Sequence, residues 1–285
     1  MAVTERDPVS GYTTTGHDWN GITELNAPVP RVVYVCIAIT HILAVIMWFL
    51  LPTWPLGTTY TKGLLGVDQR TDVAADIAAA RAAQQGWTTR IATLDFAAIQ
   101  SDPDLMAKAI ATAAPLFGQN CQSCHGKAGI GGPGFPRLND TVWIWGNTVE
   151  DIALTLTVGI NSPHPDSRIA QMPAFGRDGL LTRPEIATLT DYVQTLTAGV
   201  IPDDPAAGAV LYQANCAACH GVDARGLKDT GAQNLTDADW LYGGDAATIH
   251  LTLMNGRQGK MPAWAGRLDP VQIKMLALYV AGLSK

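Results

Sequence analysis

The residues of this chain best suited to chemistry form two copies of one short motif. The sequence reads CQSCH at residues 121–125 and CAACH at residues 216–220. Two thiols at this spacing followed by histidine are typical of c-type haem attachment, in which each thiol bonds to a porphyrin vinyl group and the histidine ligates the iron. A redox disulfide or half of a zinc site is the alternative, but each pair here is followed directly by histidine. The sequence therefore predicts two covalently bound haems.

Six side chains of the two motifs are therefore candidate site residues. Four thiols are expected to attach the two haems, and two imidazoles are expected to ligate the irons on the proximal side. They are Cys121, Cys124 and His125 in the first motif and Cys216, Cys219 and His220 in the second.

The two motifs belong to a longer internal repeat. Residues 138–159 match residues 235–256, and MPAF at residues 172–175 matches MPAW at residues 261–264. Extra residues around 162–165 account for the changed spacing within the first copy. Because units of this size each need their own core, the repeat predicts two tandem domains rather than a solenoid.

Each copy looks like a small class I cytochrome c domain, with a haem motif, a methionine loop and a terminal helix. Apolar residues at helical spacing predict the two terminal helices. They are Ile186, Leu189, Tyr192, Val193 and Leu196 in the first copy, and Ile273, Leu276, Leu278 and Val280 in the second. The resemblance implies that aromatic residues lie where the first and last helices of each domain cross. These residues are Phe117 and Tyr192 in the first domain and Tyr212 and Tyr279 in the second.

Each iron needs a sixth ligand, and the methionines of the MPA motifs are the candidates. Met172 is the only methionine between Cys121 and the end of the first copy. Met261 shares the sequence context of Met172, whereas Met254 and Met275 lie in apolar helical runs and are predicted to be core residues. Histidine and methionine together fill both axial positions and raise the potential, which indicates electron transfer rather than reaction at the iron.

Several neighbouring residues bear on this ligand set. Pro136 lies in a segment that resembles the cytochrome c loop whose proline carbonyl accepts a hydrogen bond from the proximal histidine. Gln233 stands at the equivalent position of the second copy, where a backbone carbonyl is still available. His164 is an alternative axial ligand, while His17 and His250 are expected to be ordinary surface or satisfied residues.

Residues 32–51 form an apolar run, VVYVCIAITHILAVIMWFLL. A helix of this length, at ~1.5 Å per residue, spans roughly the 30 Å of a bilayer's hydrocarbon core. A cleavable signal peptide is the alternative, but the run starts late, is long and lacks a small-residue cleavage site. We therefore expect a permanent membrane anchor over residues 32–54.

The flanking charges do not decide the orientation of this anchor. Covalent haem attachment takes place outside the bacterial inner membrane, which predicts a cytoplasmic segment at residues 1–31 and periplasmic haem domains. Within the span, Cys36 is interpreted as an apolar membrane residue and His41 as a contact to a neighbouring membrane subunit.

The segment between the anchor and the haem domains, residues 55–105, is predicted to be a periplasmic connector. It should contain a short helix over Val73–Gln85 and a helix start at Ser101–Pro103. The net charge of −6 is spread along the chain, so the sequence shows no basic patch for nucleic acid.

The whole chain resembles the dihaem subunit, subunit III, of cbb3-type cytochrome c oxidases. Besides the haem motifs and methionine loops, the resemblance covers DWNGI at residues 18–22, NAPVPR at residues 26–31 and Trp54-Pro55. It implies a mainly α protein with one N-terminal transmembrane helix, followed by two tandem class I cytochrome c domains at residues 106–200 and 201–285.

The resemblance also implies a role in aerobic respiration. The subunit would pass electrons from a soluble or membrane-bound cytochrome c, through a monohaem cytochrome subunit, towards the catalytic haem–copper subunit of a proton-pumping oxidase in the membrane lipid. It would reduce no oxygen by itself. Two alternatives remain, a free-standing membrane-anchored dihaem shuttle and a dihaem peroxidase, of which the second needs an iron with an openable site.

Overall fold

A computed structural model describes residues 6–197 and 207–284 of the chain. The chain divides into two compact units, Met1–Ala83 and Gln84–Lys285. The predicted boundary between the haem domains, at residues 200 and 201, lies outside the described residues.

A β-hairpin precedes the apolar helix in the first unit. Strand β1 (Thr14–Trp19) pairs antiparallel with β2 (Ile22–Leu25). The connecting residues Asn20 and Gly21 have φ values of 54° and 88°, as a two-residue type I′ turn requires. The hairpin is absent from the sequence-based expectations, although Asn-Gly between two short runs is its usual signal.

The apolar run forms helix α1 (Arg31–Leu50), and none of its side chains is buried in the protein. Within the described part of the chain, it is the one helix long and apolar enough to cross a membrane. Thr40 Oγ1 donates to the carbonyl of Cys36 at 2.9 Å, and His41 Nδ1 lies 2.8 Å from the carbonyl oxygen of Ile37. These polar groups thus find partners inside the helix, as groups at membrane depth must.

Beyond α1 the chain turns back over the end of this helix. The amide of Leu64 donates to the carbonyl of Phe49 at 2.9 Å, and this carbonyl belongs to the last turn, where helical partners are missing. The rings of Trp48 and Trp54 pack edge to face, with centroids 5.5 Å apart. Both tryptophans therefore lie at one end of α1, and tryptophan is enriched where membrane helices meet the interface.

The second unit is helical and begins within α2 (Gln69–Thr93). Its other helices are α3 (Phe96–Gln100), α4 (Pro103–Asn120), α5 (Gln122–His125), α6 (Val149–Val158), α7 (Arg183–Thr197), α8 (Ala207–Asn215), α9 (Ala217–His220), α10 (Ala246–Asn255) and α11 (Pro270–Leu283). Two short 3₁₀ turns, Lys127–Gly129 and Lys228–Thr230, follow the two haem motifs. The predicted mainly α class is confirmed.

Helix α4 begins where the sequence predicts. The carboxylate of Asp102 accepts a hydrogen bond from the amide of Leu105 at 3.0 Å, and Pro103 occupies the first helical position. An aspartate cap followed by proline satisfies one free amide and removes another, which starts the helix at this residue.

Helix α2 runs past the predicted Val73–Gln85 at both ends. Near its end Ile91 is fully buried, and Lys274 Nζ of α11 donates to the carbonyls of Ile91 and Ala92 at 3.0 and 3.3 Å. A cation at the helix end binds carbonyls that have no helical partner. Contacts with a distant helix therefore extend α2, which local periodicity could not indicate.

The terminal helices of the two repeats are exchanged. Helix α11 packs against α4 and α6, whereas α7 packs against α8 and α10. Among the described residues, the first module therefore consists of residues 84–158 together with 261–284, and the second module of residues 172–197 and 207–256. In the expected arrangement, with domains at 106–200 and 201–285, each terminal helix closes on its own repeat. The structure differs from that expectation.

The two hydrophobic cores follow the same division. The first core combines the first haem motif with the end of the chain, in Phe117, Cys121, Trp264, Ile273 and Leu276. The second core combines the second haem motif with the terminal helix of the first repeat, in Ile186, Leu189, Val193, Tyr212 and Cys216. Every apolar position predicted for the terminal helices is buried.

The aromatic pairs are exchanged in the same way. Phe117 packs against Tyr279 and Tyr192 against Tyr212, with ring centroids 5.4 and 5.7 Å apart. The expected pairs joined Phe117 to Tyr192 and Tyr212 to Tyr279. Because both repeats present the same apolar positions, a terminal helix can complete either core, and exchange of an identical element needs no new kind of contact.

Candidate haem sites

The first haem motif lies at the end of α4 and in the single turn of α5. Cys121 ends α4, with its amide bonded to the carbonyl of Phe117 at 2.8 Å, and the amide of His125 returns to the carbonyl of Cys121 at 2.9 Å. His125 Nδ1 lies 3.1 Å from the carbonyl oxygen of Pro136. The helix end thus presents the cysteines, and the carbonyl orients the imidazole, which leaves Nε2 free for a metal.

The second motif repeats this geometry at the end of α8. The amide of His220 donates to the carbonyl of Cys216 at 2.9 Å, and His220 Nδ1 lies 2.9 Å from the carbonyl oxygen of Gln233. The backbone of Gln233 therefore takes the place of the proline carbonyl. Any residue supplies this acceptor, so proline is not required for orientation of the imidazole.

Burial keeps both histidines and the first cysteine of each motif neutral. Burial lowers the pKa of His125 and of His220, and the carbonyl hydrogen bonds oppose this effect. Burial also raises the pKa of the Cys121 and Cys216 thiols to about 11. Such thiols lie in apolar surroundings suited to a porphyrin edge, and a neutral imidazole is the form that ligates a metal.

The second cysteine of each motif is placed differently. Cys124 and Cys219 are exposed, whereas Cys121 and Cys216 are buried, and all four thiols are free. Each motif thus presents one thiol inside the module and one at its surface.

The two methionine loops reach the opposite modules from those expected. Met261 packs against the first core, which contains Cys121, and Met172 packs against the second core, which contains Cys216. Of the other methionines in the second repeat, Met275 is buried in the first core and Met254 packs against the second, as core residues should.

The remaining histidines lie in settings of their own. His164 Nδ1 accepts a hydrogen bond from the amide of Asp166 at 3.1 Å, within the turn that the first repeat inserts. His17 is exposed and lies 3.3 Å from Glu24 in the hairpin. His250 lies on α10 and is half-buried.

The residues present in each module fit a covalently bound haem. Each offers two free thiols, an imidazole with one nitrogen already oriented, a methionine from the exchanged loop and apolar walls. In the first module these walls include Leu138, Trp143 and Leu156, and in the second Leu235, Trp240 and Leu253.

Comparison with known proteins supports the assignment of a haem protein over nearly the whole chain. Three family profiles match: "N-terminal domain of cytochrome oxidase-cbb3, FixP" at residues 11–58, "Cytochrome c" at residues 110–197, and "Cytochrome C oxidase, cbb3-type, subunit III" at residues 203–280. The cbb3-type cytochrome c oxidase subunit FixP of Bradyrhizobium sp. strain ORS 278 is 47% identical over 98% of this chain and 97% of its own length. The chain belongs to the FixP/CcoP family of cbb3-type oxidase subunits.

Other members of the family match over similar lengths. The CcoP subunit of Azospirillum sp. strain B510 is 45% identical over 99% of both chains. The CcoP subunit of Cereibacter sphaeroides is 42% identical over 95% of this chain and 94% of its own length. Membership confirms the prediction of a c-type cytochrome with two covalently bound haems and a role in electron transfer.

Two arginines near the methionine loops are absent from the candidates that the sequence supplied. Arg168 lies over the ring of Trp145 and Arg257 over the ring of Tyr242. The signal in the sequence is that both arginines precede an MPA motif at the same spacing. The net charge of −6 does not reveal these two arginines, because acidic residues outnumber basic ones in the chain as a whole.

Proposed function

We propose that this chain is the membrane-anchored dihaem subunit that carries electrons from a cytochrome c donor towards the catalytic haem–copper subunit of a cbb3-type oxidase. A monohaem cytochrome subunit and membrane lipid are the other expected partners. The observation that carries the proposal is the pair of modules, each with a haem motif and a methionine loop on one apolar core. Family membership over nearly the whole chain supports it.

The ligand sets follow the modules rather than the repeats. In the first module Cys121 and Cys124 would hold the haem, with His125 and Met261 as its axial ligands. In the second module Cys216 and Cys219 would hold the haem, with His220 and Met172 as its axial ligands. The packing of each methionine against the core that contains the corresponding cysteine supports this pairing.

A bound c-type haem supplies one-electron oxidation and reduction of its iron. The protein residues tune that property and prevent other reactions. The carbonyls of Pro136 and Gln233 hold the imidazoles and increase their basicity. The methionine thioethers would supply the second protein ligand to each iron. With a histidine and a methionine both bound, the iron would offer no place to a substrate, which favours electron transfer over a peroxidase reaction.

We further propose a single-pass arrangement in the bacterial inner membrane, with residues 1–31 cytoplasmic and the haem modules periplasmic. Helix α1 is apolar and has no buried side chain, which supports insertion in lipid. His41 uses Nδ1 on its own helix, which leaves Nε2 as the atom available to a neighbouring subunit.

The decisive experiment replaces one methionine in a chain that carries one haem. In full-length C121A/C124A protein the remaining haem should be the one held by Cys216 and Cys219. Met172→His should then lower the potential of that haem, whereas Met261→His should leave it nearly unchanged. A fall of the potential with Met261→His alone would show that each repeat ligates its own haem.

A second measurement addresses the role in the oxidase. Purification in mild detergent should yield copper and b-type haem together with this chain, and the chain alone should exchange electrons with a cytochrome c without consuming oxygen. Recovery without copper or b-type haem from cells that assemble the oxidase would favour the free-standing shuttle instead.

A further inference from the structure

Arg168 and Arg257 each stand four residues before an MPA motif, and the guanidinium of each stacks on an aromatic ring. The Arg168 guanidinium carbon lies 4.9 Å from the ring centroid of Trp145, and that of Arg257 lies 4.3 Å from the ring centroid of Tyr242. The two aromatic residues also match in the repeat. Stacking occupies the face of a guanidinium and leaves its edge N–H groups for a planar acceptor.

The backbone assigns each arginine to one module. Ile160 bridges to Arg168 on one side and to Met261 on the other, so Ile160 lies between Arg168 and the methionine of the first module. Arg257 bridges to Met172 and so lies beside the methionine of the second module. Each arginine therefore belongs with the methionine of the other repeat, not with the one that follows it in sequence.

Arg168 has more hydrogen-bond donors than acceptors around it. Its Nε is buried without a partner among the described residues, and a terminal nitrogen makes a long contact of 3.5 Å to the carbonyl of Asp151. The Asp151 carboxylate is already bound by Lys228 Nζ at 2.8 and 2.9 Å. Burial lowers the pKa of Arg168, and the charges of Asp151 and Asp229 only oppose this effect.

Arg257 is similarly short of acceptors. Its Nε donates to Thr252 Oγ1 at 2.9 Å, and within the described residues its terminal nitrogens have no hydrogen-bond acceptor. Neither arginine forms an ion pair with a carboxylate in the described part of the chain, although other arginines do, for example Arg90 with Asp102. The acceptor that suits each free edge is a carboxylate, which an arginine binds through two parallel hydrogen bonds.

We propose that Arg168 binds the propionate carboxylates of the first-module haem and that Arg257 binds those of the second-module haem. The inference rests on the proposed ligand sets, and propionates are the only anionic groups that a haem brings into either module. Each arginine would neutralise that charge within its own module. Loss of the cation leaves the propionate charge unopposed, which stabilises the oxidised iron and lowers the potential.

The test is a potentiometric titration of full-length holoprotein at several pH values. Arg168→Gln should lower the potential of the first-module haem and leave the potential of the second-module haem unchanged. The potential of the first-module haem should also depend more strongly on pH between pH 5 and 8, because an unpaired propionate takes up a proton more readily. Arg257→Gln should do the same for the second-module haem. Arg168→Lys, which keeps the charge, should retain most of the original potential of the first-module haem.

Two further variants make the outcome decisive. Met172→His should shift the redox step of the second-module haem, so the redox step that stays in place can be assigned to the first-module haem. Arg267→Gln is the matched control, since Arg267 is exposed and lies 4.3 Å from the ring centroid of Trp264, and its loss should leave both potentials unchanged.

The outcomes separate this inference from the ligand assignment. If Met172→His displaces one step as expected but Arg168→Gln alters neither potential nor pH dependence, Arg168 only braces Trp145 and the inference is wrong. Equal shifts with Arg168→Gln and Arg168→Lys, or a shift confined to the second-module haem, would also overturn it. If Met172→His displaces no step, or if it lowers the potential of the haem that remains in C216A/C219A protein, the ligand assignment itself has failed.

Discussion

The backbones of Met172 and Arg257 exchange two hydrogen bonds, of 2.9 and 3.1 Å, although the two residues belong to different repeats. Ile160 and Met261 form the matching pair, with two bonds of 2.9 Å. The chain therefore crosses between the modules twice. The first crossing, at Ile160, holds the loop of Met261, and the second crossing, at Arg257, holds the loop of Met172. Both candidate axial ligands depend on this shared junction, where backbone hydrogen bonds join the two modules in addition to the chain itself.

Loss of one haem is expected to loosen the terminal helix of the other repeat. In C121A/C124A protein the first core loses the group that fills it, so α11 should exchange amide hydrogens faster while α7 stays protected. Hydrogen-exchange mass spectrometry of residues 270–283 and 183–197 measures this. The C216A/C219A variant should give the reverse pattern. Faster exchange of α7 in the first variant would contradict the exchanged arrangement.

Alanine at Gly159 should disturb methionine ligation in the first module. Gly159 has φ +70°, and a Cβ there would lie 2.5 Å from the carbonyl oxygen of Met261. With ψ of −172° this backbone conformation is essentially restricted to glycine and costs alanine about 1–3 kcal/mol, and the clash must in addition displace Met261. The ferric absorption band of methionine-ligated haem should weaken. Gly179→Ala is the control, since Gly179 has φ +71° but no atom within 4 Å of such a Cβ.

Removal of the Tyr212 hydroxyl should destabilise the second module. This hydroxyl is buried and donates to the carbonyl of Gly221 at 2.8 Å, next to the proximal histidine. Tyr212→Phe keeps the ring, for which Phe117 is the counterpart in the first module, and should cost about 1 kcal/mol in denaturant unfolding. Tyr279→Phe should cost less, because the Tyr279 hydroxyl has no hydrogen bond within the described residues. Equal costs would contradict the prediction.

The ion pair between Asp151 and Lys228 should stabilise the protein only above acidic pH. The hydrogen bond from Lys228, 2.8 Å long, is the main cause that lowers the pKa of Asp151. The stabilisation is therefore present above the unfolded pKa of about 3.9 and is lost as the pH falls through the lower folded value.

Asp151→Asn should accordingly reduce the Tm at pH 7 by up to about 4 °C and have little effect near pH 2. Thermal unfolding of the holoprotein at both pH values measures the difference. Asp178→Asn is the control, because its ion pair with Arg177 is exposed. A reduction of equal size at both pH values would mean that Asp151 acts through packing rather than through charge.

Local sequence determined much of this protein. The CxxCH motifs, the MPA motifs, the apolar positions of the terminal helices and the start of α4 at Asp102 could all be identified because each depends on residues a few positions apart. The carbonyl partner of His220 was predictable for a related reason, since every residue has a carbonyl and Gln233 lies at the matching position of the repeat.

Only the tertiary structure decided which methionine meets which haem motif. Phe117 and Tyr212 are alike, as are Tyr192 and Tyr279 and the two MPA loops, so the sequence contains almost equal contacts for a terminal helix on either core. The choice is made by contacts between residues far apart in the chain, such as Ile160 with Met261 and Lys274 with Ile91. No local pattern reports these contacts, because a repeat makes its own alternatives nearly equal in energy and the sum of many distant contacts selects between them.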